Sequence, residues 1–530
     1  MNTFDAPTIE YFTVSPILIV LGVATLGVLI EAFVPRGRRY LVQVVLSLVG
    51  LLAAIVTTVI VFNRLNPGAK TPKGGKVVAM GALAADGPAL FCWLLILVLA
   101  VLSVLLFAER HLEGGVTSFA GQAAALPGTE AEREASTKGL EHTEVFPLLM
   151  FAVAGMLMFP AAIVLLAVCV ALEVLSLPLY LLCGLARRRR LLSQEAAMKY
   201  FLLGAFSSGF FVYGIALVYG YSGSMEFAEI AEAVSAQTGS EGLLLGGIAL
   251  MAVGLLFKVG AVPFHNWTPD VYQGAPTAVT AFMAASTKVA AFGALLRLFY
   301  VAFGANRTEW LPMIWIVAIL TMVVGSVLAL TQTDIKRLLA YSSIAHAGFI
   351  LTGFLGIRSL NVVPGGSLTG ISAVLFYLTT YAFTTIAAFA LVTVVRDGGG
   401  EATSLARWQG LGKESPLVAG LFAFLLLAMA GIPLTSGFTG KWAVFAAALS
   451  AGAWPVVIVA VLASAVAAYF YVKVIVLMFF SEPIGEGPSV TNPSVLTGSV
   501  IAVGVAATLL LGIVPGSLID LLGRVGVFIR

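Results

Sequence analysis

Five ionisable side chains occupy apolar stretches in which charge is otherwise almost absent: Glu173, Lys199, Lys258, Lys288 and Lys441. A charge at the centre of a bilayer costs roughly 2.5–3.5 kcal/mol on insertion scales, so such side chains are rare there unless a function requires them. The transfer of protons or ions is the commonest function of ionisable groups inside a membrane. These five residues are therefore the first candidates for a functional site.

Two of the lysines lie beside residues that interrupt helices. The interrupting residues are Gly260 and Pro263 after Lys258, and Gly431 and Pro433 before Lys441. Proline removes one helix hydrogen bond and clashes with the preceding turn, so each helix should break there. Irregular backbone at membrane depth is tolerated where it lines a polar cavity. We therefore expect carbonyl groups freed by the breaks to be available to water or to protonated lysines. A Lys258 side chain that extends to the membrane interface is the competing interpretation.

The acid Glu173 is expected to need a partner. A carboxyl group buried alone would remain protonated, whereas one that faces an ammonium group can ionise. We predict that Glu173 pairs with a lysine of another helix, and Lys258 is the favoured partner. Lys199 is close to arginines at a helix end, so its side chain is expected to extend to the interface instead.

Hydroxyl and imidazole groups extend this series. Thr277, Thr280 and Lys288 recur at helical spacing and form a polar face on an otherwise apolar helix. These hydroxyls either hold water beside the lysine or only form hydrogen bonds between helices. His346 shares a face with the serines three and four residues before it, and His265 directly follows the first break, where it has either a functional or a structural role. The titratable groups thus lie on several helices, as a proton relay requires.

Composition places these residues in a membrane. Of the 530 residues, 60% are hydrophobic and 10% are charged, whereas soluble domains carry about 25% charged residues. A net charge of +3 without a basic patch argues against nucleic-acid binding. Three cysteines without a Cys-x-x-Cys pair and four scattered histidines argue against iron–sulfur or other metal ligation. We expect no metal or cofactor site in this chain, and lipid around it.

Apolar stretches long enough to cross a bilayer recur along the chain. They lie at residues 14–34, 40–62, 88–108, 144–159, 161–184, 195–221, 242–264, 276–303, 311–331, 335–357, 367–395, 414–432 (continuing to 450), 454–480 and 495–520. The predicted organisation is three N-terminal helices (1–108), a cytoplasmic loop (109–143), two groups of five helices (144–303 and 304–480) and a C-terminal helix (481–530).

The placement of lysine and arginine favours one orientation. With the N-terminus outside, the inner loops carry fifteen of these residues and the outer segments carry eight, in agreement with the positive-inside rule. Both termini are therefore expected on the non-cytoplasmic side. The run Arg187–Arg190 is interpreted as a cytoplasmic anchor. The loop at 109–143, rich in Ala, Gly and Glu, is interpreted as a flexible segment.

A weak internal repeat relates the two five-helix groups. Tyr200 and residues 205–208 match Tyr377 and residues 382–385, which lie 177 residues later, and Pro263 has a counterpart in Pro433. An odd number of helices per repeat inverts the second copy in the membrane, and inverted repeats with matching breaks are a transporter architecture. The predicted fold is an all-α polytopic membrane protein with about fourteen transmembrane helices. Its two inverted five-helix repeats are helices 4–8 and 9–13, and its broken helices are 7 and 12.

Two stretches carry a resemblance to a known family. One reads Lys258-x4-Pro-Phe-His-x-Trp-x-Pro-Asp-Val-Tyr-x-Gly-Ala-Pro-Thr277, and the other runs from Asp334 through Lys336 and Arg337 to the Tyr-Ser-Ser-Ile-Ala-His run that ends at His346. Both resemble the antiporter-like subunits of respiratory complex I, which are related to the Mrp-type sodium/proton antiporter proteins. The resemblance covers about residues 85–480. Lys441 resembles the N-type subunits, because M-type subunits typically have a glutamate there.

The resemblance implies a proton-translocating membrane-arm subunit of a bacterial plasma membrane. Glu173, Lys258, Lys288 and Lys441 would correspond to the channel residues of the fifth, seventh, eighth and twelfth helices. FMN, iron–sulfur clusters and quinone are expected in partner subunits, and K- and M-type subunits are expected as neighbours. A charge change in a neighbour would alter the attraction between Glu173 and Lys258 and so pass a proton to Lys288 and then Lys441. A cation/proton antiporter subunit and a non-conducting scaffold are the alternatives.

Overall fold

Long apolar helices form nearly all of the molecule. The computed structural model describes residues 9–66, 74–122, 129–138, 140–356, 360–363, 366–397, 400–483 and 487–529. The α-helices of these residues are α1 (Tyr11–Phe33), α2 (Arg36–Leu65), α3 (Gly87–Phe107), α4 (Glu130–Thr137), α5 (Val145–Met158), α6 (Leu165–Cys183), α7 (Arg190–Ser222), α8 (Phe227–Ala236), α9 (Glu241–Val259), α10 (Trp267–Gly274), α11 (Thr277–Phe282), α12 (Lys288–Arg297), α13 (Arg307–Leu330), α14 (Ile335–Thr352), α15 (Gly370–Val394), α16 (Leu411–Glu414), α17 (Pro416–Ala430), α18 (Ser436–Ser450), α19 (Trp454–Phe480), α20 (Val495–Ile513) and α21 (Gly516–Val525).

Short elements connect the helices. Two π-helical turns, Met283–Thr287 and Leu298–Ala302, continue α11 and α12, so that residues 277–302 form one helix. The 3-10 turns are His111–Glu113, Phe159–Ala161, Gly304–Asn306, Gly353–Leu355 and Leu405–Trp408. The strands are β1 (Lys76–Val78), β2 (Leu83–Ala85), β3 (Leu360–Val363), β4 (Gly366–Leu368), β5 (Val395–Asp397), β6 (Gly400–Glu401) and β7 (Ser489–Val490). The pairs β1–β2 and β3–β4 are antiparallel hairpins, and β5 lies between β6 and β7.

Twelve helical segments of the described residues are long and apolar enough to cross a membrane. Two shorter apolar helices, Val145–Ala161 and Pro416–Ala430, coincide with the fourth and twelfth predicted spans. The chain is therefore a multi-pass, mostly helical membrane protein. The total of fourteen spans remains a prediction. Four cations counted in the outer segments, Lys70, Lys73, Arg358 and Arg530, lie outside the described residues.

The helices form a central group and an outer shell. The helix of residues 277–302, together with α14 and α15, is almost wholly buried, whereas α2, α7 and α20 are mostly exposed. The exposed side chains of the outer helices are apolar, for example Leu202, Phe206 and Leu462. Helices that are apolar on every side suit a lipid environment, in which the innermost ones contact only protein. The central helices carry Lys288 and His346.

Two helices end in the middle of a long apolar stretch and resume a few residues later. The helix α9 ends at Val259, where Gly260 has a φ of +77°, and α10 begins at Trp267. The helix α17 ends at Ala430, where Gly431 has a φ of +87°, and α18 begins at Ser436. The left-handed conformation of both glycines turns the chain out of the helix, because residues with a Cβ rarely adopt it. Each interruption leaves the last carbonyl groups of the helix without partners inside that helix.

The segment that follows α3 packs on its own chain rather than extending away from it. Arg110 pairs with Glu141, and the Arg187 guanidinium donates to the carbonyl oxygens of Thr117 (2.9 Å) and Leu140 (2.7 Å). The expectation of a flexible loop is therefore wrong for residues 110–120 and 140–141; residues 123–128 and 139 are not described. The arginine run does more than anchor a helix end. The arginine run could have indicated this packing, because closely spaced arginines need hydrogen-bond acceptors, and the loop supplies carbonyl oxygens and the Glu113 carboxylate.

Candidate functional site

Lys288 lies at the centre of the helical core. It begins α12 directly after a π-helical turn, a feature that occurs frequently at functional sites. Its side chain is buried, and its Nζ donates a hydrogen bond of 2.6 Å to the carbonyl oxygen of Ser343 in α14. The hydroxyl of Tyr381 donates to the hydroxyl of the same serine at 2.7 Å, and its ring centroid lies 5.5 Å from Nζ. The ammonium is thus held by a neutral acceptor and an aromatic face.

His346 is buried one turn further along α14. Its Nδ1 lies 2.8 Å from the hydroxyl of Tyr377, and its Nε2 lies 3.2 Å from the hydroxyl of Tyr471, which also contacts Ser342. The charges of both Lys288 and Lys441 act on its ring. An imidazole with a hydroxyl on each nitrogen can accept a proton on one side and release one on the other.

Lys441 lies beside the second helix break. Its Nζ donates to the carbonyl oxygen of Ala430 (2.8 Å) and to the hydroxyl of Ser464 (2.7 Å). The Ala430 carbonyl is available because α17 ends there. The ring centroid of Phe349 lies 4.8 Å from the same Nζ. A cavity of about 770 Å³, walled mainly by apolar side chains of α18 and α19, lies next to this lysine.

Lys258 lies at the end of α9, before the first break. It is buried, and its Nζ lies 3.5 Å from the hydroxyl of Tyr200. The ring centroids of Tyr180, Tyr200 and Phe257 lie 5.2, 4.9 and 5.8 Å from Nζ. The side chain therefore does not extend to the membrane interface. Attraction between the ammonium and these ring faces compensates part of the cost of its burial.

The expected ion pair between Glu173 and Lys258 is not formed. Across the part of the chain that the structure describes, no salt bridge joins them, and Oε1 of Glu173 is buried without a hydrogen-bond partner. The charge of Glu173 still acts on Lys258 from a distance. The rings of Tyr180 and Tyr200, rather than the expected Glu173 carboxylate, are packed around the Lys258 ammonium group.

Two further expectations have mixed outcomes. His265 lies in the linker between α9 and α10, and its buried Nδ1 has no hydrogen-bond partner. Lys199 is 41% exposed, as a side chain near an interface should be, but it also forms ion pairs of 2.7 Å with Asp270 and with Glu195. Asp270 in turn pairs with Arg337 at 2.6 Å. A simple extension into the interface therefore does not describe Lys199.

Tyrosines are the main group that the sequence reasoning missed. Tyr200, Tyr377, Tyr381 and Tyr471 are all buried beside the ionisable groups. One signal was available, because the sequence match between the two five-helix groups aligns Tyr200 with Tyr377, and they contact Lys258 and His346 respectively. A second missed feature is the ion pair between Arg297 and Asp86, whose side chains are both fully buried. Within the described residues, no group of three or more His, Cys, Asp or Glu side chains could hold a metal ion.

Apolar helices, two of them broken beside buried lysines, and ionisable groups between them define an antiporter-like membrane protein. The family described as NADH:quinone oxidoreductase/Mrp antiporter matches residues 162–467. A Nocardioides protein named NADH-quinone oxidoreductase subunit N is 65% identical over 99% of this chain and 100% of its own length. The chain therefore belongs to the NADH:quinone oxidoreductase/Mrp antiporter family.

Solved structures agree with this assignment. One chain of respiratory complex I from Thermus thermophilus is 33% identical, with a TM-score of 0.73 over 95% of this chain and 98% of its own. A chain of the Mrp complex from Dietzia has a TM-score of 0.78 over 98% of this chain and 97% of its own, with 21% identity. At that identity the second likeness concerns the fold alone.

Proposed function

We propose that this chain is the N-type, proton-translocating subunit in the membrane arm of a bacterial NADH:quinone oxidoreductase. Quinone reduction elsewhere in the complex drives proton transfer through its buried lysines, glutamate and histidine. The observation that carries the proposal is the buried series Lys288, His346 and Lys441. The Tyr381 ring lies beside both Lys288 and His346, and the Phe349 ring lies beside both His346 and Lys441. The 65% identity to a protein named subunit N supports the same conclusion.

The contacts around His346 suit stepwise proton transfer. Hydroxyl groups both donate and accept hydrogen bonds, so the pairs Ser343–Tyr381 and Ser342–Tyr471 can pass a proton by reversing their donor and acceptor roles. Lys288 is the entry to this group, and Lys441 is its exit. Each ammonium donates to a carbonyl oxygen, whose second lone pair can accept a hydrogen bond from water.

The pair of Glu173 and Lys258 is the proposed switch. Because the two side chains interact across a gap rather than as a closed ion pair, a change of charge nearby can alter their attraction without breaking a salt bridge. A proton gained or lost by Lys258 then changes the repulsion that Lys288 experiences. His265, in the linker after α9, is the proposed connection to the water phase on that side.

The remaining parts of the proposal concern placement. Fourteen transmembrane helices, with inverted repeats over 144–303 and 304–480, would put the two breaks at related depths on opposite sides of the core. Both termini would be non-cytoplasmic. K- and M-type subunits would be the neighbours, and FMN, iron–sulfur clusters and quinone would reside in partner subunits.

Reconstituted vesicles test the proposal. In vesicles that contain the whole complex, Lys258→Ala should abolish NADH-driven proton pumping while the complex remains assembled. Unchanged pumping would refute the mechanism. An antiporter subunit would instead exchange protons for sodium or potassium when purified alone, and a scaffold would pump normally with apolar residues at Glu173, Lys258, Lys288 and Lys441.

A further inference from the structure

A polar cavity lies at the end of the bundle that carries the arginine run. Its volume is about 50 Å³, which is enough for about three water molecules. The residues that line it come from distant parts of the chain and include Glu113, Arg188, Arg189, Thr277, Lys336 and Glu401. In the proposed orientation this end is cytoplasmic. The cavity therefore lies where a proton that is to reach Lys288 would leave bulk water.

Glu401 is held at the inner edge of this cavity. Its carboxylate accepts a hydrogen bond of 2.5 Å from the hydroxyl of Thr277, the first residue of α11. Its backbone is fixed by the antiparallel pairing of β6 with β5, in which it is opposite Arg396. The guanidinium of Arg189 donates to its carbonyl oxygen at 3.3 Å. A carboxylate in this position is anchored on the helix that carries Lys288.

Lys336 is the second ionisable group of the cavity. It is buried, and its Nζ donates a hydrogen bond of 2.7 Å to the carbonyl oxygen of Ala275. It interacts electrostatically with Glu401 and Asp334. The charged side chains that line the cavity with Glu401 are Glu113, Arg187, Arg188, Arg189 and Lys336, and Arg396 is opposite Glu401 in the strand pair. Positive charge therefore predominates around the Glu401 carboxylate.

Two helices lead from this cavity to the core. Thr277 and Lys288 belong to one helix and are separated by roughly 16 Å along its axis. Lys336 and Ser343 lie two turns apart on one face of α14, about 10 Å along its axis, and the carbonyl oxygen of Ser343 accepts the hydrogen bond from Lys288. Thr280 lies between the two ends of the first helix, and Tyr272 interacts with the Ser343 hydroxyl. Thr280 and Tyr272 thus place two hydroxyl groups in the interval between Glu401 and Lys288.

The segment after α3 forms one wall of the cavity, through Glu113 and Ser118. The carboxylate of Glu113 accepts hydrogen bonds from Arg188 (2.9 Å) and from Arg396 (2.5 Å), which belong to the first and second five-helix groups. The guanidinium of Arg187 holds the same segment through two carbonyl oxygens. Glu113 thus bridges the two groups over the cavity. This arrangement gives a role to a loop and to an arginine run that the proposed mechanism does not use.

We propose that Glu401 accepts protons from cytoplasmic water and supplies them to Lys288. The walls of its cavity are joined by the hydrogen bonds of Glu113 with Arg188 and Arg396. The inference rests on the proposed function. The Glu401 carboxylate takes a proton from hydronium in the cytoplasmic water of the cavity, which leaves water, and the carboxylic acid passes a proton by way of the intervening hydroxyl groups to the neutral Lys288 amine. The carboxylate is then regenerated for the next cycle. No electron or other group is transferred.

Inverted membrane vesicles that contain the whole complex provide the test, because the cytoplasmic face is then exposed to the assay medium. Glu401→Gln keeps an acceptor for Thr277 and should lower the initial rate of NADH-driven proton uptake per assembled complex by about tenfold or more, as expected when a positioned proton-transfer group is lost. Glu401→Asp should restore most of the rate. Assembly is quantified by native electrophoresis.

The matched control is Glu482→Gln, since Glu482 is an exposed carboxylate that pairs with Lys413 and would lie on the same face. It should pump at the normal rate. Thr277→Val keeps the Glu401 carboxylate but removes its hydrogen bond from Thr277, so it should slow proton uptake less than Glu401→Gln does. If Glu401→Gln fails to assemble, Thr277→Val becomes the variant that tests the inference. Normal uptake in Glu401→Gln, or in Thr277→Val when the former is lost, overturns the inference. If Lys288→Met also pumps normally, the proposed function fails as well, whereas a defect in Lys288→Met alone leaves it standing.

Discussion

Two of the buried lysines proposed to transfer protons, Lys288 and Lys441, donate to backbone carbonyl oxygens rather than to carboxylates. Lys288 donates to Ser343, and Lys441 donates to Ala430. A closed ion pair would hold a lysine permanently charged, because breaking a buried pair leaves an uncompensated charge. A carbonyl accepts from the ammonium but imposes no charge of its own. The ability of Lys288 and Lys441 to lose a proton therefore depends on having a neutral carbonyl, rather than a carboxylate, as acceptor.

The hydroxyl of Tyr377 should be needed for proton transfer. Tyr377→Phe removes the partner of His346 Nδ1, and a buried group left without its partner costs on the order of 1–3 kcal/mol. We expect proton pumping by the whole complex to slow about tenfold, the equivalent of 1.4 kcal/mol in a rate. Tyr469→Phe, on an exposed tyrosine of α19, is the control and should pump normally. Equal rates in the two variants would contradict the role of His346.

Asp86 and Arg297 should contribute stability only as a pair. Arg297 donates to both carboxylate oxygens (2.9 and 2.6 Å) and to the Pro160 carbonyl, and Ile529 N–H also donates to Asp86. Arg297→Met leaves a buried carboxylate unpaired and should destabilise the subunit by about 3–5 kcal/mol. The double variant Asp86→Asn/Arg297→Met should recover part of that loss. The thermal stability of the assembled complex measures both, and a double variant less stable than Arg297→Met would refute this account.

Residue types were readable from the sequence, but contacts were not. Lysines in apolar stretches are conspicuous, so Lys258, Lys288 and Lys441 could be identified without a structure. The neighbours of Lys258 could not, because the choice between Glu173 and the rings of Tyr180 and Tyr200 depends on how α6, α7 and α9 rotate against one another. Buried tyrosines also look like ordinary core residues.

At the scale of elements, Gly260 and Gly431 end two helices beside the buried lysines Lys258 and Lys441. A Cβ on Gly431 would lie 3.1 Å from Cδ and 3.3 Å from Nζ of Lys441, in a backbone conformation that residues with a Cβ rarely adopt. The break thus provides a free carbonyl and also the space in which the ammonium reaches it. Hydropathy and the Gly/Pro positions were sufficient to locate most of the helices. The π-helical turns were not predictable, because they depend on packing of the central helix rather than on local residue preference.

Gly431→Ala should impair function more than its strain alone explains. Both this variant and Gly452→Ala place a Cβ at a positive φ, which costs roughly 1–2 kcal/mol, but the Cβ on Gly452 would meet nothing within 4 Å. We expect similar losses of thermal stability and a loss of proton pumping in Gly431→Ala only. Pumping at the Gly452→Ala level would show that Lys441 tolerates displacement from Ala430.

At the scale of the molecule, polar ties between distant segments secure both ends of an otherwise apolar bundle. Glu113 joins Arg188 and Arg396 at one end, and Asp86 joins Arg297 and the backbone of Ile529 at the other. Such ties are strong where water is scarce. They were beyond sequence reasoning, because their partners are separated by up to several hundred residues and no local pattern connects them.

The positions of the two ends relative to the membrane can be measured directly. With both termini outside, Arg524→Cys should react with an impermeant thiol reagent in intact cells, and Lys413→Cys should react only in inverted vesicles; both side chains are exposed. The unmodified chain is the control, since its three cysteines lie in apolar helices. The opposite labelling pattern would show that the chain has the reverse orientation in the membrane, in which the Glu401 cavity faces the non-cytoplasmic side.

The π-helical turn before Lys288 determines where this chain tolerates a change of length. A π turn accommodates one residue more than an α-helical turn and confines the excess to a few positions. Loss of one residue between 283 and 287 would close the turn into α-helix and leave the helix beyond it in register. Loss of one residue between 288 and 297, where the helix is α, would rotate the following residues by about 100° as far as the next π-helical turn, Leu298–Ala302. Loss of one residue is thus better tolerated just before this lysine than just after it.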